Sequence, residues 1–227
     1  MTSKIYFIPG LGTDGRVFSN LIKYLDLDNN FEILEYIDPL TSNETLDQYT
    51  QRRTAHIRNS GTKPIFVGMS LGGIIAVEAS SQFNNCPCAI ISSIKHPTER
   101  PPALKVLRRF KIHSLVPPSW TRWGASTFGR FFGIETPESL LIYKAMLYSM
   151  NDEHFKWGRQ AAIVWDNTQP HEHVLHIHGN KDHIFPHTYL NEPYHLVPSG
   201  THNMILDRPE KVAAVLKPWL NEMLKSQ

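Results

Sequence analysis

Two cysteines in 227 residues, Cys86 and Cys88, leave this chain with little material for disulfides. Only Pro87 separates them, a poor arrangement for a structural staple, so the sequence predicts reduced thiols and a cytoplasmic setting. No apolar run reaches the roughly 20 residues that a membrane-spanning helix requires, so stable membrane insertion is not expected. The opening MTSKIYFIPG does not resemble a signal peptide; its short apolar run ends in a Gly-rich turn and reads as a buried strand and loop. Neither sign of charge dominates. A formal net charge of +2 supports no nucleic-acid partner. The one basic run, Arg100, Lys105, Arg108, Arg109 and Lys111 with Leu104 and Leu107 between, reads first as the solvated face of a helix. It also suits an anionic substrate such as a coenzyme A thioester, or a membrane surface. His171, His173, His176, His178 and His183 cluster, but no acidic or thiolate ligand stands at a recognisable metal spacing from them, so no metal is expected. Internal repeats and low-complexity tails are also missing.

What is present is a rhythm. With 41% hydrophobic and 19% charged residues, the chain has the composition of a folded domain with one substantial core. Lys4–Pro9, Phe31–Ile37, Pro64–Met69 and Ala89–Ile94 read as strands. Between them Val17, Phe18, Leu21 and Leu25, then Leu46, Tyr49, Arg53, His56 and Ile57, recur at helical spacing. Thr41 and Glu44 suggest a weak capping box before the second of these helices. Repeated strand–helix order calls for a mostly parallel sheet of about six strands with helices on both faces. Residues 97–158 break the rhythm: helical pieces centred on 103–113, 121–132 and 137–149 are divided by Pro101-Pro102, Pro117-Pro118 and Gly133. At about 60 residues this reads as a helical insertion rather than a separate domain, with 1–96 and 159–227 as the body. His173–Ile177 and Tyr194–Val197 supply the last strands. Asp207, Pro209 and Glu210 mark the start of a final helix that Pro218 should kink.

The chemistry centres on Gly68-Met69-Ser70-Leu71-Gly72. Its G-x-S-x-G spacing falls between the strand PIFV and the helix GGIIAVEA, and that context makes a sharp turn that presents the serine. A serine hydroxyl needs a base, and the base needs a third group to orient it. Asp182 follows the fifth strand and His202 the sixth, and parallel strands deliver such loops to one edge of a sheet. Asp38, also at a strand end, is the chief rival to Asp182, and Asp166 a weaker one. His178 stands where it can brace the Asp182 loop.

These residues together resemble the α/β-hydrolase superfamily. The nucleophile elbow matches 68–72, the acid-bearing G-x-x-D-x-x-x-P segment matches 179–186, and the histidine segment matches 200–209, in the order Ser, Asp, His. The HG-type oxyanion loop matches Pro9-Gly10-Leu11-Gly12 in part, with Pro9 where a histidine is frequent. The family's usual first two strands are missing, and its helical cap commonly sits where 97–158 lie. The resemblance implies a catalytic triad of Ser70, His202 and Asp182, an oxyanion hole from the amides of Leu11 and Leu71, and no cofactor. A serine rather than an aspartate at position 70 argues against the dehalogenase and epoxide-hydrolase branches. The implied activity is cleavage of a small-to-medium apolar ester. Thioester hydrolysis or acyl transfer would use the same triad, and a non-catalytic binding role is the reading from another class. A homo-oligomer is left open. Trp120, Trp123, Phe128, Phe131, Phe132, Tyr143, Met146 and Tyr148 make the insertion rich in large apolar groups, from which a pocket over Ser70 is expected.

Overall fold

The computed structural model describes residues 2–110, 116–127, 129, 133–169 and 173–225. Six strands, β1 (Ser3–Ile8), β2 (Phe31–Ile33), β3 (Lys63–Met69), β4 (Cys88–Ile91), β5 (Val174–Gly179) and β6 (His195–Val197), form one sheet in the order β2-β1-β3-β4-β5-β6, every pair parallel. Alternate side chains leave opposite faces, as the two-residue period of a strand requires. Ile5, Phe7, Ile65, Val67, Ile91 and Ile177 enter one core with α1 (Ser19–Leu25) and α10 (Pro209–Lys225). Tyr6, Ile8, Phe66, Cys88 and Ile90 enter the other with α2 (Leu46–Arg53), α3 (Ala55–Arg58) and α4 (Leu71–Gln82). α4 is buried along its first ten residues, which is why its sequence is apolar without a polar stripe.

The insertion lies between β4 and β5. It carries α5 (Pro102–Arg109), α6 (Pro118–Thr127), α7 (Pro137–Ser149) and α8 (Asp152–Val164). Phe128, Phe131, Phe132, Lys111 and His171 fall outside the described residues. Trp157 and Ala161 of α8 pack into the Tyr6 core, while Met146, Leu147 and Phe155 join the Phe7 core, so the insertion is anchored to both layers. The short α9 (Met204–Asp207) leads into α10. Among the described residues no helix is long and apolar enough to cross a membrane.

Several local expectations change. The capping box before α2 is Thr45 with Gln48, not Thr41 with Glu44. Glu44 is buried instead, its carboxylate accepting from Arg52 at 3.0 Å and from the Leu40 amide at 2.8 Å. β2 stops at Ile33, and the expected strand continuation is used to support the β1 loop: Glu35 accepts from Gly15 N–H, and Tyr36 donates to the Pro9 carbonyl. β4 stops at Ile91 because Ser92 takes a positive φ of 49°. Asp207 does not cap α10; its two oxygens accept from the Glu135 amide and the Thr136 hydroxyl, tying the insertion to the body.

Candidate active site

β3 delivers Ser70 to the carboxyl edge of the sheet, and the chain reverses there into α4. Ser70 has φ 51° and ψ −120°, a strained conformation for a residue with a side chain. Tight packing holds it. A Cβ on Gly68 would stand 2.0 Å from the Gly72 carbonyl oxygen, and one on Gly72 would stand 2.1 Å from that of Ile8. Both positions therefore require glycine for close backbone approach. The Ser70 amide donates to Ile91 O at 3.0 Å, and its carbonyl accepts from Gly73, Ile74 and the Ser93 hydroxyl, the last at 2.6 Å. Ser93 was not singled out in the sequence, where a serine after a strand carries no distinctive signal.

Two loops meet this turn. His202 Nε2 lies 3.0 Å from Ser70 Oγ, and its Nδ1 lies 2.8 Å from Asp182 Oδ2. One neutral tautomer satisfies both contacts: Nδ1–H donates to the carboxylate, while Nε2 accepts from the serine hydroxyl. Asp182 has no exposed side-chain surface. Its Oδ1 accepts from the amides of Ile184 at 2.8 Å and Phe185 at 2.9 Å, within a turn that its own side chain closes. Burial opposes its ionisation, but His202 and the hydrogen-bonded His178 prevail and hold the carboxyl well below its usual range.

Behind the carboxylate stands a second imidazole. His178 is fully buried on β5; its Nε2 lies 2.7 Å from Phe185 O and 3.3 Å from Asp182 Oδ2. The carbonyl can only accept, so Nε2 carries the proton. His178 Nδ1 then faces His176 Nε2 at 3.2 Å, which also meets Ser93 O at 3.1 Å. Burial, followed by the proximity of His178, keeps His176 well below the ordinary imidazole value. The two-residue spacing in one strand was the sequence signal for this pair. Asp38 and Asp166 lie elsewhere: Asp38 is exposed and holds Asn151 at 2.7 Å, and Asp166 pairs with Arg108 at 3.0 Å.

The loop after β1 runs beside the turn, since a Cβ on Gly10 would lie 3.2 Å from Ser70 Cβ. Leu11 follows Gly10. Leu71 is the first residue of α4, where an amide has no carbonyl four residues back to meet. Leu147 and Phe155 press on Gly12, and a Cβ on Gly158 would meet Leu11 and Leu71 at 2.7 and 3.0 Å, so α7 and α8 cover this loop. The expected aromatic roof is different. Trp120, Trp123 and Tyr148 are 71%, 61% and 59% exposed, while Tyr143 and Met146 are buried in the core. Trp120 and Trp123 line a surface cavity with Val116, Thr121 and Gly124 that does not contain Ser70. No group of three or more His, Cys, Asp or Glu side chains among the described residues is arranged to hold a metal ion.

Comparison with known proteins adds the family. A profile described as "Alpha/beta hydrolase family" matches residues 5–215. A search of curated protein sequences found no match. Among solved structures, a thermophilic esterase from Thermogutta terrifontis superposes with a TM-score of 0.69 at 15% identity, over 98% of this chain and 92% of that one. A bromoperoxidase from Bacillus anthracis gives 0.72 at 13% identity, over 97% and 92%. A lipase-esterase related protein from Clostridium acetobutylicum gives 0.69 at 18% identity, over 96% and 94%. At these identities the likeness is one of fold.

Proposed function

The chain belongs to the alpha/beta hydrolase family, and on that premise we propose that it is a serine hydrolase cleaving a small-to-medium apolar carboxylic ester through an acyl-Ser70 intermediate. One observation carries the reading. Ser70 Oγ, His202 and Asp182 form an unbroken hydrogen-bonded line, 3.0 and 2.8 Å in its two links, at a strained turn on the sheet's carboxyl edge.

The mechanism follows from that line. Ser70 attacks the acyl carbonyl as His202 Nε2 takes the hydroxyl proton. Asp182 keeps the other ring nitrogen protonated and stabilises the imidazolium. The amides of Leu71 and Leu11 meet the developing oxyanion. Collapse passes the proton from His202 to the departing alkoxide and leaves an ester on Ser70. Water, deprotonated by His202, then attacks that ester and releases the acid and the free serine.

Apolar specificity has support in Leu11 and Leu71, whose side chains meet α8, and in Phe185, whose ring centroid lies 5.7 Å from that of His202. We take 97–158 as the cap and 1–96 with 159–227 as the body, α8 joining the two. The half-buried Cys86 and buried Cys88, both free, support a reducing, cytoplasmic setting. Ser70→Ala should abolish hydrolysis of p-nitrophenyl butyrate with the circular-dichroism spectrum and Tm retained; full activity in the folded variant would overturn the proposal. Across p-nitrophenyl esters from acetate to palmitate, kcat/KM should rise and then fall, because each buried methylene adds about 0.8 kcal/mol until the space is filled.

A further inference from the structure

The insertion opens with a buried cation that has almost no counterpart. Arg100 follows a 3-10 turn at Pro97–Glu99 and is only 2% exposed. Its Nη1 reaches the Pro97 carbonyl at 3.5 Å, while Nε and Nη2 have no hydrogen-bond partner among the described residues. A guanidinium removed from water without partners is costly, since it loses hydration and gains nothing in exchange. Burial, and then Arg108, draw its pKa down to about 10, so the group still enters neutral solution as a cation.

The surroundings add charge of the same sign. Arg100 lines a cavity of about 640 Å³ together with Lys105, Arg108, Arg109, His96 and Thr98. The lining holds four cationic side chains and one carboxylate, Asp166, which Arg108 already engages through both oxygens at 3.0 and 3.3 Å. The local excess therefore exceeds the formal +2 of the whole chain. A purely solvated helix face accounts for Lys105 and Arg109, which are exposed. It does not account for Arg100, which lines the same cavity and is buried with two nitrogens unsatisfied.

We propose that this cavity binds the phosphoryl group of a small anionic ligand, a phosphate monoester or diester. A phosphoryl group supplies several acceptor oxygens and up to two charges, and planar guanidinium groups match it in geometry. The volume lies in the range of small-molecule sites and exceeds what an inorganic ion alone needs. Ser70 is not part of the lining, so the site stands whether or not the ester reading holds.

Calorimetric titration and thermal melting of the full chain test this with four probes: inorganic phosphate, pyrophosphate, coenzyme A and vesicles of phosphatidylglycerol. Saturable binding with Kd below millimolar is expected for at least one, with Tm raised by about 4 °C at ten times Kd. Coenzyme A binding more tightly than pyrophosphate identifies a phosphorylated carrier arm as the source. Equal affinities identify the phosphoryl group alone, and binding to vesicles only identifies a lipid headgroup. The exposed pair K105Q/R109Q should fold normally and weaken binding tenfold or more. Arg100→Met should raise the Tm of the ligand-free protein, because an unpaired buried charge gives way to an apolar chain of similar length. The same substitution should remove the ligand-induced shift. Absence of saturable binding to all four probes would overturn the proposal. So would a lower Tm in Arg100→Met with affinity unchanged in K105Q/R109Q, since Arg100 would then be a structural group.

Discussion

Replacing Asp182 by asparagine changes one atom and, on this geometry, reverses the direction of a proton. In the native site Asp182 Oδ1 is fixed by the amides of Ile184 and Phe185, which leaves Oδ2 to face His202 Nδ1 at 2.8 Å and His178 Nε2 at 3.3 Å. An asparagine side chain would keep its oxygen on those two amides. The opposite orientation would set its NH2 group against two backbone N–H donors, each costing about 1–3 kcal/mol when buried without an acceptor. Its NH2 group therefore occupies the Oδ2 position and donates to His202 Nδ1. The imidazole must then carry its own proton on Nε2, facing Ser70 Oγ with no lone pair to accept the hydroxyl proton. His178 offers no escape, since its Nε2–H is already given to Phe185 O at 2.7 Å. Loss of the base in this way costs about 10⁴-fold in rate, or about 5.5 kcal/mol of transition-state stabilisation. The loss should fall on kcat, because Asp182 is buried and does not meet the substrate. Steady-state kinetics with p-nitrophenyl butyrate on the folded variant measure it, with Asp38→Asn as the exposed control expected to lose little. Activity of Asp182→Asn within about tenfold of the parent, or a loss confined to KM, would refute this reasoning.

Two further outcomes follow from the same cluster. His178→Leu removes the only donor to the Phe185 carbonyl among the described residues and one partner of Asp182, so unfolding free energy measured in urea should drop by about 1–3 kcal/mol, with kcat falling alongside; unchanged stability would contradict the bracing role. The lowered ionisation of Asp182 has a pH consequence with a definite sign. Its contribution to stability is complete above the ordinary carboxylate range near pH 4 and disappears as pH falls through the lowered folded value. The difference in unfolding free energy between the parent and Asp182→Asn should therefore shrink between pH 5 and pH 2, and a difference that grows on acidification would argue against an ionised Asp182.

The sheet was legible because its strands are short apolar runs, and β1, β5 and β6 close on Pro9, Gly179 and Pro198, a local signal that survives folding. Ser70, Asp182 and His202 were readable for a related reason: each sits in a turn whose neighbours, Gly68 and Gly72 or Gly179 and Pro186, are set by backbone geometry rather than by distant contacts. What escaped the sequence depends on tertiary neighbours. Glu44 and Asp207 each look like helix caps, but the fold presents better donors, Arg52 to the first and the 135–136 segment to the second. The insertion was hardest to read. An amphipathic helix announces that it has an apolar face, not what that face meets, and Trp120, Trp123 and Tyr148 turn outward while Leu147, Phe155 and Gly158 approach the β1 loop and α4. Ser93 acts through a backbone carbonyl, a contact with no spacing rule to reveal it.

The central claim is that Ser70 is an activated nucleophile. The most direct measurement is intact-protein and peptide mass spectrometry after exposure to a fluorophosphonate. One adduct per chain is predicted, on the peptide containing Ser70, absent from Ser70→Ala and formed orders of magnitude more slowly by Asp182→Asn. No adduct on the folded protein, or an adduct mapped to another residue, would contradict the account.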